Sequence, residues 1–353
     1  MDRPGAARWA NSIRQHTDAW LAAGIGMLSF ALYLATLAPT VLPGDAGEFQ
    51  FVAPLAGIAH PTGYPLYLLL GWLWTHIVPF GSAAFRMNLF SAAAAGAAVG
   101  VLYLAAQRFL DLAGFIFTPQ RNRAIALLAA GFFAISATFW SQAVIAEVYA
   151  LHALLVILWF YLVLRWLDAG SSPGRLAPAA IVLGLALAHH RTTILLVPGV
   201  VLAVWMAGRR RTAAIGRQRV LALAGMALLP LLLYLYVPAR APASPYLSVP
   251  LQPAAPLQLY EPGIRSFADH VLGRSFEGSL DPSLLGLDRL RMAFDLLLRQ
   301  FALPGVVLGV LGVAWLAIRR RWVLLALTAL PYLMLVAFNL IYAIGDIHVM
   351  YIP

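Results

Sequence analysis

Tyr64-Pro65-Leu66-Tyr67-Leu68-Leu69-Leu70-Gly71-Trp72-Leu73-Trp74-Thr75-His76-Ile77-Val78-Pro79 decides how this chain folds. The run is apolar and bracketed by prolines, yet at about 17 residues it sits at the lower limit for crossing about 30 Å of hydrocarbon. Trp72, Trp74 and His76 suit a helix lying in the membrane interface equally well. The flanking charge separates the two readings. With 64–80 in the interface, Arg3, Arg8, Arg14, Arg108, Arg121, Arg123, Arg165, Arg175, Arg209, Arg210, Arg211, Arg217, Arg219, Arg319, Arg320 and Arg321 fall on one side. These are 16 of the 24 basic residues, and the positive-inside rule makes that side cytoplasmic. Arg240, Arg265, Arg274, Arg289, Arg291 and Arg299 share one long loop, where the rule has little force. Only Arg86 and Arg191 remain opposite. A spanning 64–80 inverts this order downstream, so the segment is expected to lie in the interface.

The wider composition agrees with a membrane body. Hydrophobic residues make up 62% of the chain and charged residues 11%, too apolar a mixture for an ordinary soluble domain. Spans are expected near 20–38, 86–106, 124–140, 148–167, 176–188, 193–207, 220–237, 302–318 and 322–342. The chain reads as an all-α, polytopic integral membrane protein, one transmembrane domain over 1–353 with outer loops about 39–85 and 239–301. The polar first 19 residues lack a cleavage pattern, so the first span is expected to be an uncleaved anchor in a plasma membrane. The net charge of +10 does not point to nucleic acid, because the arginines punctuate apolar spans and form no basic domain. The absence of Cys removes disulfides, thiolate metal sites and a cysteine nucleophile, and the absence of Lys removes a Schiff base.

Polar chemistry gathers on the side away from the arginines. Pro43-Gly44-Asp45-Ala46-Gly47-Glu48-Phe49 follows the first span directly, and carboxylates there are costly near hydrocarbon. At i and i+3 on a helix, Asp45 and Glu48 share a face and can address one substrate as catalytic groups. The same spacing is a D-x-x-E capping pattern, with Asp45 as N-cap of a helix 46–58. His60-Pro61-Thr62-Gly63-Tyr64-Pro65 is a sharp turn, in which His60 either faces that pocket or bonds only within the turn. Glu147 is a first-turn carboxylate favoured by a helix dipole, or an acceptor for substrate hydroxyls. His189-His190-Arg191 interrupts the apolar run from Ala177 to Ala207, and an Arg at the outer surface suits a lipid phosphate. Gly345-Asp346-Ile347-His348 is a pocket wall or half of a metal site; two ligands are too few, and no metal is expected. Asp281-Pro282 opens an amphipathic helix with Leu287, Leu290, Phe294, Leu297 and Leu298 on its apolar face.

An acidic motif after the first span, a His-Pro element before an interfacial helix, and Arg86-Met87-Asn88-Leu89-Phe90 opening the next span resemble the GT-C superfamily of membrane glycosyltransferases. More closely, Gly44 to Phe49, His60 to Tyr67, Ile145-Ala146-Glu147-Val148-Tyr149 and Gly345-Asp346 resemble bacterial relatives of the transmembrane protein 260 family, whose animal members are O-mannosyltransferases. The resemblance runs from about Ser29 to Pro353. It implies a GT-C-like helical bundle whose extracytoplasmic first loop carries juxtamembrane helices. It further implies a polyprenyl-phosphate hexose donor, a protein, lipid or glycan acceptor, transfer outside the cytoplasm with inversion, and no cofactor. Asp45 is then the general base beside Glu48, Arg191, His189 and His190 face the donor phosphate with Arg240 in reserve, and His60, Tyr64, Glu147, Asp346 and His348 line the site. Relatives continue into further spans, so the chain is expected to be a fragment or a shortened member. The rival expectations are a non-catalytic binder of lipid-linked sugar and a transporter or flippase; ionisable groups at one face, without half-to-half symmetry, count against the latter.

Overall fold

The computed structural model describes residues 3–115, 117–168, 173–209, 216–252 and 255–351; Arg210, Arg211 and Pro353 lie outside them. In chain order the helices are α1 (Arg3–Ala35), α2 (Gly44–Val52), α3 (Pro65–Ile77), α4 (Ala83–Ala113), α5 (Pro119–Ala134), α6 (Ala137–Ala143) and α7 (Tyr149–Asp168). They continue as α8 (Ala177–His189), α9 (Val197–Arg209), α10 (Arg217–Leu228), α11 (Tyr236–Arg240), α12 (Ile264–Leu272), α13 (Leu287–Ile318) and α14 (Trp322–Ile341). A short antiparallel pair, β1 (Ser248–Gln252) and β2 (Ala255–Gln258), adds a small strand element to the long loop of an otherwise helical chain.

Among the described residues, seven helical stretches are long and apolar enough to cross a membrane: Gln15–Ala35, Ala83–Ala113, Tyr149–Asp168, Arg191–Arg209, Arg217–Ala243, Leu287–Ile318 and Trp322–Ile341. The chain is therefore a helical, multi-pass membrane protein. Two of the nine expected spans change character. The stretch 124–140 is α5 and α6, bent by 66° at Ile135–Ser136, where Ser136 turns its hydroxyl back onto Phe133 O. The stretch 176–188 is α8, whose 13 residues reach only about 20 Å at 1.5 Å per residue. α3 is equally short at 13 residues, in keeping with a helix that does not cross.

α4 is the central helix, packed on α1, α5 and α7. Small residues let α1 and α4 approach closely: a Cβ added at Gly96 would lie 2.8 Å from Gly26 O, and one at Gly100 would lie 2.8 Å from Ala22 O. This is the small-xxx-small packing used where lipid supplies no hydrophobic drive between helices. α14 lies on α9, while α8 packs between α7 and α10. In α13 only Leu316 is buried among the described residues, so this helix presents its apolar surface outward.

The expected amphipathic helix is the first half of α13, not a separate element. Asp281 caps a single 3-10 turn, Pro282–Leu284, its Oδ1 accepting from Ser283 N at 2.9 Å. α13 starts only at Leu287 and breaks at Ala302 (φ 52°, ψ 171°), where Pro304 two residues on withholds a backbone donor.

Candidate active site

α2 starts two residues earlier than the capping pattern requires. Its N-cap is Pro43, with no side-chain cap, and the helix runs Gly44–Val52 in place of the expected 46–58. Asp45 thus lies inside the first turn with its carboxylate uncommitted to capping, its side chain 61% exposed. Glu48, one turn on, turns toward the loop that follows. Its Oε1 accepts from His60 N at 2.8 Å, and its Oε2 is paired with His60 Nδ1. His60 Nε2 then lies 3.9 Å from Asp45 Oδ2. So His60 does not bond merely within its own turn; it stands between the two carboxylates. Burial opposes charge on this imidazole, but the Glu48 hydrogen bond and the charges of Glu48, Asp45 and Glu147 outweigh it and raise its pKa.

Asp45, Glu48 and His60 also have ligand atoms within 4.8 Å of one another, the convergence a divalent cation needs, although the sequence led us to expect no metal. Asp346 and His348 do not form the other half of such a site; both are exposed, and only Asp346 reaches the carboxylate group through its charge on Glu147.

Distant segments hold this loop in place. Tyr246 Oη accepts from Ile58 N at 2.6 Å, and Tyr236 Oη donates to Gly57 O at 2.8 Å. Gly57 has no room for a side chain, since an added Cβ would lie 1.8 Å from Tyr246 Oη. Arg240, expected in reserve for phosphate, donates to Ala56 O (2.6 Å) and Leu55 O (3.2 Å), so its fork pins the chain after α2. The proline-rich start of the long loop is therefore a clamp on the first loop. From the other side Gln50 Nε2 donates to Asn88 Oδ1 (2.8 Å), and Asn88 Nδ2 donates to Ala38 O (2.7 Å), tying α2 to α4. Arg86 Nη1 donates to Thr75 O at 2.6 Å and fixes the end of α3.

Glu147 and Tyr64 lie within electrostatic reach of Asp45, and Asp346 within reach of Glu147. Glu147 precedes α7, its N–H donating to Ser91 Oγ at 3.3 Å. Desolvation by burial, with the charges of Asp45 and Asp346 added and the Val148 N–H opposing, lifts its carboxyl to about 8. At neutral pH it is a hydrogen-bond donor. Tyr64, the left-handed residue before α3 (φ 42°, ψ 50°), packs edge-on to Phe49 (5.4 Å) and His60 (5.3 Å). Burial and the nearby carboxylates push its phenol up.

The His189-His190-Arg191 stretch divides into three different roles. His189 is fully buried and donates from Nε2 to Val148 O at 2.9 Å, so it packs the core and does not reach the outer surface. His190 is also buried, with Nδ1 2.6 Å from Thr192 Oγ1. Arg191 turns outward, donating to Leu272 O and lying 6.0 Å over the Phe276 ring, with its charge felt by Tyr342. Tyr149, His152 and Tyr342 join this region without having been singled out as site residues. Tyr149 and His152 show a signal in hindsight, since i and i+3 share one face of α7; Tyr342 has none, because it arrives from the end of α14.

Residues 45–213 match the family model described as the protein O-mannosyl-transferase TMEM260 N-terminal domain. Protein O-mannosyl-transferase TMEM260 of Mus musculus is 34% identical over 168 residues, covering 47% of this chain and 22% of that protein. The Dictyostelium discoideum protein of the same name is 31% identical over 133 residues, 37% of this chain and 15% of its own length. The chain thus spans under a quarter of either relative. No solved structure matches it. The matched segment holds Asp45, Glu48, His60, Glu147 and Arg191 together, and through it this chain is a relative of the TMEM260 family.

Proposed function

We propose that this chain carries the site of a GT-C-type mannosyltransferase that moves mannose from a polyprenyl-phosphate donor to a hydroxyl, most simply on a protein, with inversion. The observation that carries this reading is the Asp45 carboxylate, uncapped and exposed above a Glu48–His60 pair. The family-model match begins at Asp45 itself, and two named protein O-mannosyl-transferases resemble this chain. The arginine distribution supports an extracytoplasmic site.

In the mechanism, Asp45 takes the proton of the acceptor hydroxyl as that oxygen bonds to the anomeric carbon. The bond from the anomeric carbon to the phosphate oxygen breaks on the opposite face, and its electron pair leaves with the polyprenyl phosphate. Arg191 neutralises that leaving charge, its guanidinium held by Leu272 O. Glu48 is a positioning residue: it orients His60, whose Nε2 side faces Asp45. Glu147, protonated, donates to a substrate oxygen.

The test is transfer from radiolabelled polyprenyl-phosphate mannose in membranes carrying wild type or Asp45→Asn. Loss of a general base costs about a hundredfold to ten-thousandfold in rate. Full activity in a folded, inserted Asp45→Asn protein refutes the assignment.

A further inference from the structure

Behind Tyr64 a small cleft opens between α7, the 3-10 turn Arg191–Leu196 and the chain after α14, lined by Tyr149, His152, His190 and Thr192 on one side and Val349 and Met350 on the other. It has room for about one water-sized group. His152 is 6% exposed, His190 7% and Thr192 8%, so the polar wall is nine-tenths buried. The His152 and His190 rings lie 4.7 Å apart, and His190 is 5.7 Å from Tyr149 and 6.2 Å from Tyr64. Rings thus connect the cleft to Tyr64 and His60 at the carboxylates. Within this wall His152 Nδ1 has no hydrogen-bond partner among the described residues. Leaving a buried polar atom unpaired is costly, so such an atom marks a place where a partner belongs.

The chemistry of the partner follows from what surrounds it. No carboxylate lines the cleft, and the guanidinium of Arg191 is turned away to Leu272 O and Tyr342, so neither cation nor phosphate is matched there. The histidines do not form a metal set either: the His and carboxylate atoms that converge among the described residues are those of Asp45, Glu48 and His60. A phosphate is also too large. What fits is one uncharged hydroxyl, its proton accepted by an imidazole nitrogen.

Building on the donor reading above, we infer that this cleft is a hydroxyl subsite for the donor's sugar, in which His152 accepts from one ring hydroxyl while the hexose lies at the mouth against Tyr64 and Tyr149. His190 and Thr192 complete the subsite by fixing each other. On this arrangement the histidines select the sugar, and the phosphate is left to Arg191. A site built to pair a hydroxyl rejects the analogue that lacks it, because its own polar atom is then stranded.

The experiment measures binding, so that it does not depend on turnover. The full chain in lipid nanodiscs is titrated with radiolabelled polyprenyl-phosphate mannose against its 2-, 3-, 4- and 6-deoxy forms. One deoxy donor is expected to bind about tenfold to a hundredfold more weakly than mannose, matching one unpaired buried group. In His152→Phe that ratio collapses to within about threefold while the other deoxy donors keep theirs. Val349→Phe fills the cleft from its opposite wall and abolishes the same ratio, which covers the case in which His152→Phe fails to insert. Equal binding of every deoxy form by wild type, or wild-type discrimination in a folded His152→Phe or Val349→Phe protein, overturns the subsite and leaves the cleft holding a structural water only. Wild type that binds no mannosyl donor overturns the donor reading and the subsite together. Binding with the expected discrimination but no transfer keeps the subsite and ends the transferase reading.

Discussion

Glu48→Gln separates a positioning carboxylate from a catalytic one. In the wild type Glu48 accepts twice from His60, at the backbone N–H (2.8 Å) and at Nδ1. The amide keeps one acceptor oxygen but sets an NH2 group against the other donor, so the charged contact to the ring is lost. A hydrogen bond to a charged group contributes about 1.5–3 kcal/mol. Glu48 is 31% exposed and His60 26%, so solvent screening trims the figure to about 1–2 kcal/mol. At about 1.4 kcal/mol per tenfold, transfer slows about fivefold to thirtyfold, well short of the loss of a base. The pH profile supplies the second readout. Glu48 raises the pKa of His60, so removing its charge moves the alkaline limb, where the imidazolium is lost, to lower pH. Initial rates with polyprenyl-phosphate mannose between pH 5 and 9 measure both effects. A Glu48→Gln enzyme as inactive as Asp45→Asn, with its alkaline limb unmoved, refutes the reasoning and makes Glu48 the base.

Two further outcomes concern stability. Burial lifts Glu147 from 4.5 to about 8, so between those values the folded chain holds a proton that the unfolded chain releases. Stability then falls as pH rises through that window, by at most about 1.4 kcal/mol per unit, and Glu147→Gln should flatten the slope in melting curves taken from pH 5 to 8.5. A slope unchanged in that variant assigns the effect elsewhere. Gly96→Ala places a Cβ 2.8 Å from Gly26 O and 2.9 Å from Phe30 Cβ, whereas Gly131→Ala meets nothing within 4 Å. Overpacking costs about 1–3 kcal/mol against about 1 kcal/mol gained in helix propensity, so only Gly96→Ala should lower the melting temperature in detergent. Equal melting of the two proteins refutes the close α1–α4 packing.

Residues that act locally were legible without a structure. Length and hydropathy placed most of the crossing helices, because a span is a property of about 20 consecutive residues and needs no partner to be recognised. α3 was readable as non-crossing from charge order: its length left both readings open, and the arginines downstream gather on one side only if it does not cross. The grouping of Asp45, Glu48 and His60 was legible as a neighbourhood, since all three lie within one loop of the chain. Hydropathy alone did not show the 66° break at Ile135–Ser136 or the shortness of α8, because both depend on how the ends of those helices turn.

What each site group does was decided only by tertiary structure. Nothing in D-x-x-E distinguishes a cap from a free base, and the choice fell to Pro43, which takes the N-cap position and leaves Asp45 uncommitted. Arg240 is as suitable for phosphate as Arg191 by residue type, yet it turns inward to Ala56 O while Arg191 faces Leu272 O and Tyr342. His189 and His190 are neighbours in sequence but part company, one holding Val148 O and the other lining the cleft with His152. Composition, charge order and apolar length follow from local solvation, and so the sequence by itself determined that this is a membrane chain with its acidic motif beside an interfacial helix. Hydrogen bonds that reach across 184 residues, as Arg240 does to Ala56, depend on which helices pack together, and they alone decided which side chains remain free for chemistry.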